Sequence, residues 1–269
     1  MTRTYGITGV ASGIGAALAQ VLKAQGNRVV GYDLLETYEN VDHFVPLDLA
    51  DKASIRSAAM ATPWMLDGLC NNAGLPPVAD QAAKILQVNF TGTRGFTQAM
   101  MPHLNAGASL VNMASRAGHK WHNNLDQIKR LAGLQQLEQI ARFVDDEAID
   151  PTRAYNLSKE AVLLWTLSMT EEMVHRDIRV NSLSPGGIAT GILDDFKKAF
   201  GMQMAKNVER AGRVGTPEEV AKIAAFVLSP DSHWLKGADI SIDGGMGAFN
   251  MTDALGLAVM LGPDKGGTA

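Results

Sequence analysis

The stretch TGVASGIG, Thr8 to Gly15, restricts what this chain can fold into more than any other. A short apolar run over residues 3–8 leads straight into it, and a helical pattern over residues 14–25 follows. Gly9, Gly13 and Gly15 permit a tight turn and let a ligand approach where a Cβ would intrude. The helix that follows aims its free N–H groups and positive dipole end at the same place, which suits a pyrophosphate. Ser12 and Ile14 share the turn and are expected to touch the same group. Glycine-rich turns after strands are common, so the triplet alone is weak. Its place between a first strand and a first helix is the context that gives it meaning.

Further short apolar or β-branched runs lie near residues 28–32, 43–47, 67–71, 108–114, 178–184 and 239–242. They alternate with helical patterns over 51–60, 80–101, 156–175 and 217–228, which predicts βαβ units around a parallel sheet. The last of these helices opens TPEEVAK, with Thr216 as N-cap, Pro217 at the first helical position and acids in the first turn. Two segments stand outside the pattern. Residues 116–152 are mostly polar and helical and contain no recognisable strand. Within them Leu125, Ile128, Leu131, Leu134, Leu137 and Ile140 fall three apart. The tail over about 246–269 is Gly-rich with an apolar patch from Ala254 to Leu261, and its last residues, GPDKGGTA, are expected to fray. No repeat, linker or low-complexity tract divides the chain. Residues 1–269 are therefore expected to form a single nucleotide-binding catalytic domain, with a helical insertion at about 116–152.

Composition narrows the function classes. With 46% hydrophobic and 19% charged residues among 269, a large core can be buried. A net charge of −4, a pI near 5.9 and the lack of a basic block argue against a nucleic-acid footprint. The one cysteine, Cys70 in DGLCN, allows no intrachain disulfide or cysteine metal cluster and reads as a buried small hydrophobe. The N-terminal stretch lacks signal-peptide features and no apolar run spans a bilayer, so a soluble cytoplasmic protein is expected.

Two carboxylates follow the glycine loop. Asp33 ends the second strand in VVGYD, where it can accept hydrogen bonds from ribose hydroxyls and would repel a 2′-phosphate. No Arg or Lys follows closely, which favours NAD over NADP. Asp48, in PLDLAD at the end of the third strand and followed by Leu49, could bond an adenine amino group. Serving as the N-cap of the next helix is an equal alternative for it.

Taken together, these residues resemble the short-chain dehydrogenase/reductase family nearly end to end. The glycine pattern is Thr8, Gly9, Gly13 and Gly15; the Asn-Asn-Ala-Gly motif is Asn71, Asn72, Ala73 and Gly74. The Asn on the next helix is Asn89, the Ser after the fifth strand is Ser115, and the Tyr-x-x-x-Lys pair is Tyr155 and Lys159. SPGGIAT supplies Pro185, Gly186, Ile188 and Thr190, and DISIDGG resembles the last strand with its glycine turn. Any one motif is weak; their common order is not. The resemblance implies a Rossmann-type, doubly wound sheet of seven parallel strands, order 3-2-1-4-5-6-7, with helices on both faces. Within the family the likeness is to the coniferyl-alcohol dehydrogenase and 3α-hydroxysteroid dehydrogenase/carbonyl reductase branch, and LDGLCNNAG, KEAVLLW and HWLKGADISIDGG look like its coniferyl-alcohol members in particular. That branch also carries a helical insertion, and here Tyr155 follows Ser115 by 40 positions.

The roles follow partly from chemistry and partly from the resemblance. A free tyrosine has a pKa of roughly 10, too high for a base near neutrality, and a nearby ammonium such as Lys159 lowers it. Tyr155 is thus the expected base or acid, tuned by Lys159, which the resemblance also places on the nicotinamide ribose. Ser115 would orient the substrate oxygen and Asn89 would hold a water near Lys159. Asn72, Ala73, Gly74, Pro185, Gly186, Ile188 and Thr190 would contact the cofactor, expected to be NAD. Ala114 stands where many members have a second Ser; a register off by one would misassign Ser115. For the substrate pocket, His119 and Trp121 follow the strand carrying Ser115, and Met202 and Met204 lie in the segment after Thr190. His119 and His122 lack acidic or Cys neighbours in sequence, so no metal is expected. The expected function is hydride transfer between NAD and a hydrophobic alcohol, aromatic/allylic or hydroxysteroid-like, by a homodimer or homotetramer. A general carbonyl reductase and a nucleotide-sensing protein without turnover are the alternatives.

Overall fold

A computed structural model of the chain describes residues 2–191 and 193–260. The fraying expected of the last residues, GPDKGGTA, and the end of the apolar patch at Leu261 lie outside that range. Seven parallel strands form one sheet in the order β3-β2-β1-β4-β5-β6-β7. They are β1 (Thr4–Thr8), β2 (Arg28–Asp33), β3 (His43–Pro46), β4 (Leu66–Asn71), β5 (Leu104–Met113), β6 (Arg179–Pro185) and β7 (Asp239–Ile242). The chain crosses from β3 back past β1 to β4, so the strand order reverses beside β1. That reversal opens a crevice at the carboxyl ends of the strands, where ligands bind in open α/β sheets.

One sheet face packs on α1 (Gly13–Ala24) and α9 (Pro217–Leu228). Ile7, Val29, Cys70, Val111 and Leu183 meet Leu18, Leu22, Val220 and Val227 there, all buried. Cys70 is fully enclosed, and burial alone raises its thiol to about 12, so it behaves as a small hydrophobe. On the other face Val30, Tyr32, Leu69, Leu110 and Val180 pack against α2 (Lys52–Ala61) and α4 (Thr93–Met100), through Ile55, Ala58, Phe96 and Met100. Strands covered on both sides are buried along most of their length, as β1, β4 and β6 are, and their polar members, such as Asn71 and Asn181, are hydrogen-bonded inside. The α9 start carries the expected cap: Thr216 accepts from the Glu219 N–H, and the Glu219 carboxylate accepts from the Thr216 N–H.

The structure corrects three boundaries. The helical pattern over 80–101 is not continuous: α3 (Ala82–Leu86) runs into a π-helical turn, Gln87–Gly92, before α4. A Cβ on Gly92 would overlap the Leu49 carbonyl, so the turn presses close on the loop after β3. The helix carrying Tyr155, α7 (Pro151–His175), begins five residues before the expected 156. Asp150 caps it through the Arg153 N–H, and Pro151 fits a first turn that needs no donor. Finally, the segment expected to be helical over about 116–152 divides into separate helices. A 3₁₀ run, Arg116–Asn123, leads to α5 (Leu125–Gly133) and α6 (Leu137–Asp146). Ile128, Leu131 and Ile140 are buried in a third cluster with Ile85, Phe90, Leu157 and Ala161, whereas Leu125 and Leu137 are exposed.

Candidate active site

A cavity of about 800 Å³ lies at the carboxyl ends of the strands. Its floor is the glycine loop. Gly9 and Gly13 sit at φ 70° and 55°, and a Cβ on Gly15 would overlap the Gly9 carbonyl, so the sharp turn requires glycine there. Ser12 caps α1 with extended backbone and no side-chain hydrogen bond, which leaves the first N–H groups of α1 free for an anion. Asn72 fixes the loop from behind: its Nδ2 donates to the Thr8 and Gly9 carbonyls. The Thr8 hydroxyl accepts from the Asn72 and Ala73 N–H groups, which ties β1 to β4.

Asp33 accepts from the Ala11 N–H through one oxygen and the Leu35 N–H through the other, and it lines the cavity with unused lone pairs. Asp48 also lines the cavity, and its Oδ1 accepts from the Ala50 N–H. The capping alternative falls to a neighbour: Asp51 caps α2, accepting from the Ala53 and Ser54 N–H groups. Leu49, Ala73, Gly74, Pro185, Gly186, Ile188 and Thr190 border the same cavity, as do Ser12 and Ile14. The glycine cradle, the free helix N-terminus and the Asp33 carboxylate together fit a dinucleotide.

Deeper in the cavity the chain brings together residues far apart in sequence. Ser115 follows β5, Tyr155 and Lys159 share a face of α7, and Asn89 sits in the π-helical turn. Ser115 and Tyr155 both line this cavity, with the Ser115 side chain near enough to Tyr155 to act on its ionisation. Lys159 Nζ donates to the Met113 carbonyl at 2.8 Å and lies 5.7 Å from the Tyr155 ring centre. Asn89 Oδ1 accepts from the Leu75 N–H, and its Nδ2 donates to the Leu75 carbonyl and the Ser158 hydroxyl. Burial pushes Tyr155 up to about 12, with the Ser115 hydrogen bond pulling the other way, and burial lowers Lys159 to about 8. Among the protein groups alone, desolvation of Tyr155 therefore outweighs the help expected from Lys159.

The residues expected to meet substrate divide. His119 lines the cavity, with its ring engaged by Arg116 and Asp239. Trp121 lies instead on an adjoining pocket of about 110 Å³ that His119 also borders. Met202 is 90% exposed and does not border the main cavity, and the Met204 side chain lies outside those described. What faces Tyr155 is an aromatic pair from α8 (Leu193–Ala211). Phe196 and Phe200 stack nearly parallel, with their rings edge-on to Tyr155 at 5.1 and 6.4 Å. Their four-residue spacing puts both rings on one helix face, and that spacing was the available sequence signal. Gly201, at φ 43°, breaks the helix just behind them, which leaves Met202 beyond the kink. Among the described residues no group of His, Cys, Asp and Glu could hold a metal, and no helix is long and apolar enough to cross a membrane.

Comparisons with known proteins agree with this geometry. A family model described as short chain dehydrogenase matches residues 3–126, and one described as Enoyl-(Acyl carrier protein) reductase matches residues 139–247. A coniferyl-alcohol dehydrogenase of Pseudomonas sp. (strain HR199 / DSM 7063) is 33% identical over 242 residues, covering 89% of this chain and 94% of that protein. A 3-alpha-hydroxysteroid dehydrogenase/carbonyl reductase of Comamonas testosteroni is 29% identical, covering 90% and 95%. Among solved structures, the 3-alpha-hydroxysteroid dehydrogenase from Pseudomonas sp. B-0831 complexed with NADH superposes with a TM-score of 0.78. It is 26% identical, with 92% of this chain and 98% of that one covered.

Proposed function

The chain belongs to the short-chain dehydrogenase/reductase family of nicotinamide-dependent oxidoreductases, and from that premise we propose that it is an NAD-dependent dehydrogenase of hydrophobic alcohols. One observation carries the reading. Ser115 and Tyr155 line the same cavity as the glycine cradle, with Lys159 buried beside Tyr155 on α7. The substrate classes to test first are aromatic or allylic alcohols and hydroxysteroids, the chemistries named for the two relatives.

When bound, the oxidised nicotinamide supplies the hydride acceptor and a positive charge that favours the Tyr155 phenolate. In oxidation, Tyr155 Oη receives the proton of the alcohol, and in reduction it returns one. Ser115 donates to the substrate oxygen, which orients the carbinol and stabilises developing charge. Lys159 supplies the cationic field that holds the phenolate and, by the family resemblance, would also hold the nicotinamide ribose. Asn89 braces the loop at Leu75 beside Lys159 and keeps one Oδ1 lone pair for a water on the way to solvent. Asp33 disfavours a 2′-phosphate by like charge, which supports NAD over NADP. Phe196 and Phe200 give the substrate an apolar wall, which takes the place proposed from sequence for Met202. We read the chain as one catalytic domain that acts as a homodimer or homotetramer.

The test is an NADH-absorbance screen over aromatic, allylic and steroid alcohols, run with the parent and with Tyr155→Phe. Turnover of a hydrophobic alcohol with NAD, abolished in the variant with NAD affinity within about threefold of the parent, is the expected result. An active variant would overturn the base assignment, and an equal or better rate with NADP the cofactor assignment. NAD binding without turnover of any alcohol or ketone would make the chain a nucleotide-sensing protein.

A further inference from the structure

Ser115 is followed immediately by an arginine whose side chain is 24% exposed and whose guanidinium is engaged by a carboxylate and an imidazole. Arg116 Nε lies 3.1 Å from Asp243 Oδ2, and Asp243 is only 8% exposed. Its NH1 lies 2.6 Å from His119 Nδ1, and His119 Nε2 lies 3.2 Å from Asp239 Oδ2. The loop after β5 is thus held to two carboxylates at the two ends of the β7 segment. Each carboxylate passes the connection on. Asp239 Oδ1 accepts from the Ser182 and Ser184 hydroxyls on β6, the strand that delivers Pro185 and Gly186. Asp243 accepts from the Gly245 and Gly247 N–H groups at the start of α10 (Met246–Leu255). Its backbone also lies against Gly186, where a Cβ would come within 2.9 Å of the Asp243 Cβ. Finally, the guanidinium rests on α10 itself, so that a Cβ on Gly247 would lie 2.7 Å from Arg116 Cζ.

We propose that Arg116 is a positioning residue: it holds Ser115 in register with the Pro185–Gly186 loop through Asp243. This rests on the reading of Ser115 given above. A planar guanidinium contacting a carboxylate and an imidazole fixes direction as well as distance, which an ammonium does not. The nearly buried Asp243 keeps that contact from solvent screening. Ser115 can donate usefully to a developing alkoxide only if its hydroxyl stays within a fraction of an ångström of its place. Arg116 borders the cavity, but its donors face Asp243 and His119, so its effect belongs in turnover and not in substrate affinity.

The experiment measures kcat and KM with NAD and coniferyl alcohol, or the best alcohol of the screen, for four variants. Ser115→Ala is expected to lower kcat by about a hundredfold. Arg116→Met should lower kcat by about tenfold with KM within about twofold. Because Arg116 acts through Ser115, the double variant should be no slower than Ser115→Ala by more than about twofold. Gly247→Ala retains every charge, suits a helix and moves only the guanidinium, and should reproduce most of the Arg116→Met loss. That variant keeps the question open to refutation if Arg116→Met does not fold. Multiplicative losses in the double variant, a change in KM alone, or wild-type kcat in Gly247→Ala would overturn the inference while leaving the Ser115 reading intact. A silent Ser115→Ala would overturn that reading and the inference with it.

Discussion

At Lys159 the chain puts an ammonium with 5% exposure against a single carbonyl, that of Met113, and burial brings its pKa from the ordinary 10.5 to about 8. A lowered value means that between about 8 and 10.5 the unfolded chain binds more protons than the folded one. Stability attributable to this group is therefore complete above 10.5 and is lost as pH falls through 8. The proposed mechanism needs the charge that the fold resists. Lys159→Met should accordingly abolish turnover yet melt higher than the parent at pH 7, by about 1–3 kcal/mol, with the orphaned Met113 carbonyl offsetting part of the gain. The difference should shrink by pH 10, where the parent lysine is neutral. Thermal melts followed by circular dichroism at the two pH values decide this, and a variant equally or less stable than the parent at pH 7 contradicts it.

The elements show what a sequence discloses and what it hides. The glycine loop, the Asn71–Gly74 motif and the Tyr155–Lys159 pair were readable because each is a local pattern whose geometry is set within a few residues. Their convergence was readable only through the order of the motifs. The π-helical turn at Asn89 was not, since a helical hydrophobic pattern survives one inserted residue. Over 125–140 two short helices joined by a bend bury Ile128, Leu131 and Ile140 and leave Leu125 and Leu137 outside, a division that the period of three alone does not reveal. Phe196 and Phe200 were overlooked in favour of Met202 because the kink at Gly201 decides which of them faces Tyr155. The turn at Asn89 also makes a prediction of its own. Gly92 closes it against the Leu49 carbonyl, so Gly92→Ala must push the turn away from the loop after β3. The expected cost is about 2–4 kcal/mol, with a loss of activity below the melting temperature as Asn89 leaves Leu75. Chemical denaturation and turnover measure the two effects, and a variant matching the parent in both would show that the turn adapts.

For the molecule as a whole the question is whether residues 116–149 form a separate unit or part of one cooperative core. The third apolar cluster joins Ile128, Leu131, Ile140 and Phe143 to α7 through Leu157 and Ala161, and that same helix carries Tyr155 and Lys159. A polar link runs alongside: Arg153 forks onto Glu160, 1% exposed at its side chain, while Asn124 donates to the same carboxylate and Gln127 accepts from Arg153. The helix that carries Tyr155 and Lys159 is therefore packed on the sheet along one side and on this segment along another, and neither support can melt without releasing it. Ile140→Ala, at a fully buried position that does not line the cavity, should then cost about 2–4 kcal/mol and lower the melting temperature by about 5–10 °C. Activity and calorimetric unfolding should be lost together in a single shifted transition. An early transition at which α5 and α6 melt while turnover persists would separate the segment from the catalytic core and divide the chain into two folding units.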